Sequence, residues 1–559
     1  MKIFFKLIAI VLIVSTTYSC DSFLVEEPYS FPSGSTLFES QANAELALTG
    51  VNEILNAQNI QGNGNHPLWG RGMHYLTNLG CDELIGSINE FSDPQPKMMT
   101  NYGYNSESQY VSDAWFALYA GIDRANNIIK YVPSIPAMDS TRRAQIISEA
   151  RFFRGFYYTY LAWLFGAVPI PVVPNSNAYA AREPLSNVYS QIISDLTYAS
   201  QNLPARNIIT GRVNRYTAQA MLAKVYLYLA SCKENQVGKD LDNPLNQFDF
   251  VDQADSYQKC LTLCDSIYHN SGYSLHPNYN YLFIADTKQL KAEILKEDLM
   301  MVNAGSGGSS EYLLFSYLSG PQGNITTNGG NYGNLRPLGE LAERYDLTND
   351  TRAIQNISGN MSSTLSQNIL TIKYYSTVAV NTAGNNFCLD KFRQSDPTIR
   401  NALGIPTWAS TLSFPLLRFA DVILMYAEAS YKVSANATNA RKLLLDLRNR
   451  AAQLDATKAY ILTQNYYRTD FMQELFDERS RELCAEGWRR FDLIRWGKLT
   501  SVVTNLNTTN VNSIKPNYYY WNTLYAAVIQ GNYAPYKIWF PIPKRELETN
   551  PNLVPNSGY

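Results

Sequence analysis

The residues whose types and spacing could do chemistry are gathered near the C-terminal end: Glu478, Arg481, Glu482, Glu486, Arg489, Asp492 and Arg495. Two carboxylates about 5 to 10 Å apart across a cleft can hydrolyse a glycoside, one as acid and the other as base or nucleophile. Here the charges recur at three- and four-residue steps or close to them, so on helices they pair along and between elements and lock that end of the fold. Glu149 with Arg151 and Arg154, and Arg418 with Asp421 and Glu428, read in the same way as scaffold contacts. The four histidines, His66, His74, His269 and His276, come without a Gly-x-Ser-x-Gly, a His-Glu-x-x-His or a phosphate-cradling glycine loop. No catalytic residue is assigned and no enzyme is expected.

Cysteine chemistry points the same way. Cys81, Cys232, Cys260, Cys264, Cys388 and Cys484 are scattered through a chain long enough to bury a large core without staples, so a disulfide framework is not expected. Cys260 and Cys264, four apart with no histidine cluster nearby, read as ordinary helix-face residues. No metal site and no cofactor are expected. Cys20 is different. Lys2 and Lys6 flank the start of an apolar run, Ile3 to Val14, that leads through small polar residues to Ser19 and Cys20, followed by the acidic stretch Asp21 to Glu27. That is the layout of an exported bacterial protein with a signal over residues 1–19 and lipid on Cys20. The alternative is a soluble exported protein whose Cys20 is discarded with the signal. The apolar run is about half of the roughly twenty residues a membrane-spanning helix needs.

A net charge of −2 with interspersed signs leaves no basic stripe for phosphates, so nucleic acid is not the expected partner. The chain carries 40 Tyr, 23 Phe and 8 Trp but only 17% charged residues. Such a composition suits neutral polar ligands with apolar faces.

The elements that would position these groups are mostly helical. Residues 144–165 carry Ile147, Phe152, Phe153, Phe156, Tyr157, Tyr160, Leu161 and Leu164 at helical spacing in two adjacent stripes. Similar patterns recur at 37–57, 107–131, 185–202, 215–232, 254–269, 417–433, 438–453 and 470–485. Short connections and small-then-large packing at Ala218, Met221, Leu222, Val225 and Leu229 suggest a mainly α, degenerate array of helical hairpins. Long Gly/Asn/Tyr-rich stretches at 59–104, 303–336 and 356–415 read as irregular insertions.

Several segments resemble the SusD/RagB family of surface lipoproteins. The clearest is Asp477-Glu478-Arg479-Ser480-Arg481-Glu482-Leu483 running on to Glu486-Gly487-Trp488-Arg489-Arg490-Phe491-Asp492-Leu493-Ile494-Arg495-Trp496-Gly497. Others are Glu149-Ala150-Arg151-Phe152-Phe153-Arg154-Gly155 with Phe165-Gly166 and Pro169, and Leu417-Arg418-Phe419-Ala420-Asp421-Val422 with Tyr426-Ala427-Glu428-Ala429. The ends agree too, in Cys20-Asp21-Ser22-Phe23-Leu24, Ile542-Pro543, Asn550-Pro551-Asn552-Leu553 and Pro555-Asn556-Ser557-Gly558-Tyr559. The resemblance implies one domain over residues 20–559: a tetratricopeptide-like helical superhelix with long loop insertions. It also implies an outer-membrane, cell-surface location and a SusC-like TonB-dependent transporter as partner.

A ligand is expected in the insertions, because loops on a rigid frame collect binding residues. In 59–104, Trp69, Tyr75, Asp82, Asn101 and Tyr102 combine rings that stack on sugar C–H faces with groups that bond hydroxyls. The resemblance implies an acidic residue near the ligand at Asp82. In 303–336, Tyr312, Tyr317, Tyr332 and Arg336 lie where the family places further ligand contacts. The bland reading is that these side chains pin the loops to the scaffold or line the transporter contact. The functional reading is capture of an oligosaccharide for import. Capture of peptides, or a transporter-stabilising subunit without a ligand of its own, are the alternatives.

Overall fold

In a computed structural model of the chain, the described residues are 37–56, 68–86, 94–174, 176–206, 211–283, 295–302, 319, 333–358, 388–392, 412–508 and 519–559. The helices of the first half are α1 (Gln41–Glu53), α2 (Met73–Asn78), α3 (Gln95–Thr100), α4 (Gln109–Tyr131), α5 (Ser140–Phe165), α6 (Leu185–Asn202), α7 (Arg215–Glu234) and α8 (Gln253–Asn270). In the second half α9 (Gly339–Glu343) and α10 (Thr351–Asn356) are short. They are followed by α11 (Phe419–Ser434), α12 (Ala437–Ala451), α13 (Ala456–Tyr466), α14 (Phe471–Leu483), α15 (Arg489–Arg495), α16 (Leu499–Thr504), α17 (Tyr520–Asn532) and α18 (Lys544–Thr549).

Several long helices start where a side chain satisfies the exposed backbone donors of the first turn. Asp139 accepts the Arg142 N–H at 2.7 Å ahead of α5. Asn214 and Thr217 form a reciprocal capping box at α7, and Asp252 and Asp470 cap α8 and α14. α5 is buried on nearly every side from Phe152 to Phe165, as its two apolar stripes require, and ends at Gly166.

Each long helix packs on the next: α1 on α4, α4 on α5, α5 on α6, α6 on α7 and α7 on α8, then α8 on α11 and α11 on α12. This is the mainly helical, tetratricopeptide-like array that the hydrophobic period predicts. One continuous apolar core runs through it, and a small separate cluster sits between α12 and α13.

The array is interrupted twice: α1 packs on α4 across residues 54–108, and the longer break comes after α8. α8 and α11 pack together although residues 271–418 lie between them. The described part of that insertion is tied down by three antiparallel strand pairs. β2 (Asp298–Val302) pairs with β6 (Phe414–Arg418), β1 (Leu84–Gly86) with β3 (Leu335–Pro337), and β4 (Ile357–Ser358) with β5 (Cys388–Leu389). The stretch 59–104, expected to be irregular, is ordered in its described part: a π-helical turn over Leu68–Gly72 leads into α2, whose every residue is buried, then β1 and α3.

Candidate functional site

Along α14 and one turn beyond it, Glu474, Glu478, Glu482 and Glu486 place one carboxylate per turn in the protein interior. Their partners arrive from far away in sequence. Arg448 reaches Glu474 at 2.8 Å and Glu478 at 3.2 Å, and Arg352 bridges Glu478 at 2.8 Å and Glu482 at 3.0 Å. Arg450 meets Glu482 at 2.5 Å, and Arg418 joins Glu482 at 3.0 Å to Glu486 and Glu297 at 2.6 Å. Lys391 closes the row on Glu486 at 2.6 Å. Burial raises the Glu478 and Glu482 carboxyls, but the surrounding guanidinium groups outweigh it and hold both well below the usual carboxylate range. Carboxylates that stay ionised and sealed from water cannot serve as general acids. The row is a clamp between α14, α12 and the insertion.

A second buried lattice lies on the other side of α14. Arg479 binds Asp421 at 3.0 Å and Asp492 at 2.7 Å, Arg495 binds Asp492 at 2.9 Å and Glu428 at 2.5 Å, and Lys224 pairs with Asp421. Between Glu486 and α15, Gly487 takes φ +82°, and a Cβ there would lie 2.7 Å from the Thr77 hydroxyl. Only glycine gives both the turn and the close approach of α15 to α2.

Some expected pairings are corrected. Arg154 and Arg151 turn to Asp195, at 2.7 and 4.0 Å, and Glu149 is served by Arg142 at 3.1 Å and Arg212 at 3.4 Å. Arg418 pairs with neither Asp421 nor Glu428. Near-neighbour spacing identified charges that pair, but helices packed in three dimensions chose the partners.

The expected ligand residues fall into three groups. Trp69, Tyr75, Asp82, Tyr102 and Arg336 are interior, which corrects their expected exposure to a ligand. Trp69 packs edge-on against Tyr160 at 5.0 Å and on Phe156 at 5.7 Å, within the α5 core. Tyr75 stacks on Tyr110 at 5.6 Å and receives a hydrogen bond from Asn334 at 3.2 Å. Both oxygens of Asp82 are taken, by Arg489 at 2.8 and 2.6 Å and by Arg344. Those cations outweigh burial and keep the carboxyl far below its ordinary value. Tyr102 donates to the Gly80 carbonyl and meets the Tyr533 ring at 5.0 Å. The physical reason is common to all: each anchors a short element to the helical frame, the bland reading of an aromatic or charged loop residue. Asn101 is half-buried and accepts the Gly103 N–H at 3.0 Å. Tyr312, Tyr317 and Tyr332 lie outside the described residues, as does Cys20.

The structure does bring the two expected loops together. β1, from the first, pairs with β3, from the second, placing Ile85 opposite Arg336. Beside this pair the Arg336 guanidinium lies 5.0 Å over the Trp521 ring, which stacks on Tyr525. Asn522 donates to both oxygens of Glu340, at 3.0 and 2.8 Å, joining α17 to α9. Trp521, Tyr525 and Asn522 were missed by sequence reasoning.

Residues 294–559 match the SusD family, and residues 69–227 match a group described as starch-binding and associating with the outer membrane. The chain belongs to the SusD/RagB family. Among relatives, the SusD-like protein P25 of Formosa agariphila is 26% identical over 99% of both chains. The starch-binding protein SusD of Bacteroides thetaiotaomicron is 23% identical over 92% of this chain and 90% of its own. The fold agrees with solved structures. A SusD homolog from Bacteroides thetaiotaomicron gives a TM-score of 0.71 at 20% identity, covering 94% and 98% of the two chains. The surface glycan-binding protein A of the same organism, in complex with laminarihexaose, gives 0.68 at 18%, covering 92% and 99%. In this SusD/RagB chain the motif from Asp477 to Gly497 is therefore the buried clamp of the fold, and the ligand-facing chemistry has to come from elsewhere.

Proposed function

We propose that the protein captures an oligosaccharide at the outer-membrane surface, held by lipid on Cys20, and passes it to a SusC-like TonB-dependent transporter. The observation that carries this reading is the β1/β3 pair. It joins the two aromatic-rich stretches through a buried strand pair on the helical frame, from which the loop side chains that follow would be presented to a ligand. The relatives that bind starch and laminarihexaose support a glycan over other ligands. With Trp69, Tyr75, Asp82 and Tyr102 committed to the interior, the proposed ligand contacts are Tyr312, Tyr317, Tyr332 and Asn101.

Calorimetric titration of the detergent-solubilised full chain tests this, using maltohexaose, laminarihexaose, a xylogluco-oligosaccharide and a mixture of short peptides. Saturable binding of one glycan, weakened at least tenfold by Tyr312→Ala or Tyr332→Ala, is the expected result. Binding of peptides alone would move the protein to peptide capture. Glycan binding untouched by either tyrosine substitution would place the site outside 303–332.

A further inference from the structure

A surface cleft of about 390 Å³ opens between the start of α7, the turn after α8 and β2, within the size range of small-ligand sites. It uses no residue of the β1/β3 edge. Its lining includes Arg206, Arg212, Asn214, Tyr273, Lys296 and Asp298.

The wall is built rather than incidental. Asn214, while capping α7, donates its side-chain N–H to the Tyr273 hydroxyl at 2.8 Å, and Thr217 of the same cap donates to the Leu299 carbonyl of β2 at 2.9 Å. Both flanks of the cleft are thus fixed to one helix start. Gly272, at φ +72°, leaves the turn bare, and a Cβ there would come within 3.2 Å of the Arg206 guanidinium. Arg206 accordingly lies along the turn, next to Tyr273, although its side chain is exposed.

The charge is one-sided. Arg206 and Lys296 are exposed at the rim, and the Arg212 side chain keeps 16% of its surface. Arg142 takes the short contact to Glu45 at 2.5 Å and one to Glu149 at 3.1 Å. Arg212 is left with the same carboxylates at 3.7 and 3.4 Å. Arg212 also donates to the Thr49 hydroxyl at 3.4 Å, and its exposed part is what an incoming anion would meet. Among the described lining residues three cations stand with one carboxylate, the buried Asp298, and Glu45 and Glu149 lie behind Arg212.

The structure assigns this cleft, we infer, to the oxyanion of an acidic sugar unit, a carboxylate or a sulfate ester. Arg206, Arg212 and Lys296 bind the anion and Tyr273 lies against the ring. The inference rests on the glycan-capture reading and adds to it a second, charge-selective subsite.

The test titrates the full chain with trigalacturonate, a sulfated chondroitin disaccharide and the neutral glycans above. It is repeated with Arg206→Glu and Lys296→Gln, with hydrogen exchange followed at residues 211–215 and 271–274. Expected is binding of at least one acidic probe, weakened tenfold or more by Arg206→Glu and by 0.5 M salt, with protection at both segments and neutral-glycan binding unchanged. Which probe binds distinguishes carboxylate from sulfate. Neutral glycan bound but both acidic probes ignored would overturn the cleft assignment and leave glycan capture standing. Acidic probes bound equally well by Arg206→Glu and Lys296→Gln, or with protection elsewhere, would overturn it as well.

Discussion

At the scale of single residues, burial decides what each side chain is for. Trp69 is surrounded by Phe156 and Tyr160, so Trp69→Ala should leave a cavity and cost about 3 to 5 kcal/mol in urea unfolding. A loss of ligand binding in that variant would therefore say nothing about the site unless stability were measured beside it. Glu482 faces Arg352, Arg418 and Arg450 at once, and Glu482→Gln leaves three buried cations short of a charge. A loss of roughly 3 to 5 kcal/mol is expected, the usual cost of breaking a buried ion pair from one side. The same carboxylates set an acid limb. Asp82, Glu478 and Glu482 are held far below their ordinary values in the folded state, and the cations around Asp492 outweigh burial to bring it to about 2. The unfolded chain, with values near 4, takes up protons first, so their contribution is present above about pH 4.5 and is lost as pH falls toward 2. Asp113 has the opposite sign: burial alone raises it to about 6, and its Oδ2 has no hydrogen-bond donor among the described residues. Its penalty is absent below pH 4 and grows as pH rises through 6. Asp113→Asn should therefore stabilise by roughly 1 to 2 kcal/mol at pH 7.5 and hardly at all at pH 4. Equal effects at the two pH values would refute the assignment.

At the scale of elements, legibility follows from length and amphipathicity. The period marked 185–202, and the structure gives α6 the same bounds; 215–232 and 438–453 became α7 and α12 within two residues at each end. Each carries apolar residues at helical spacing, and α7 and α12 also have a side-chain cap, features that local sequence encodes. α17 had no such signature. Its buried Trp521, Tyr525 and Ile529 alternate with exposed Leu524 and Val528, so apolar residues lie all round it and no stripe emerges. The 68–86 block was illegible because its elements are only a few residues long and gain stability from neighbours distant in sequence. The clamp was half legible: the carboxylate ladder of α14 follows from spacing, whereas Arg352 becomes a partner only when the insertion folds back and Arg448 only when α12 lies beside α14. The closing segment after α18 is held at several points, most deeply at Asn556. Asn556 accepts from Arg182 at 2.5 Å and donates to the Phe165 and Phe540 carbonyls at 2.9 and 2.8 Å. Asn556→Ala should cost about 2 to 4 kcal/mol, since buried groups on both sides lose partners. Limited proteolysis should then clip residues after Thr549 before any other site, and an unchanged digestion pattern would refute the clasp.

At the scale of the whole molecule, the stretch 303–332 is bounded by strands that are anchored elsewhere, and this separates stability from binding. The frame is a sequence of packed helices that shares its apolar core with the insertion, and buried ion pairs add to that junction: α14 is gripped from the α12 side by Arg448 and Arg450 and from the insertion by Arg352, Lys391 and Arg418. The stretch after Val302 leaves from β2, which is paired with β6, and the chain re-enters at β3, paired with β1. Both anchors thus have strand partners outside 303–332. Loops with anchored ends tolerate replacement at small entropic cost. Replacing residues 303–332 by a Gly/Ser linker of equal length should accordingly keep the helical circular dichroism, with the melting temperature lowered by only a few degrees, while oligosaccharide binding is lost. Binding that survives the exchange would mean the ligand is held by the frame itself. Collapse of the helical signal would mean that the insertion, far from being carried by the array, is needed to complete it.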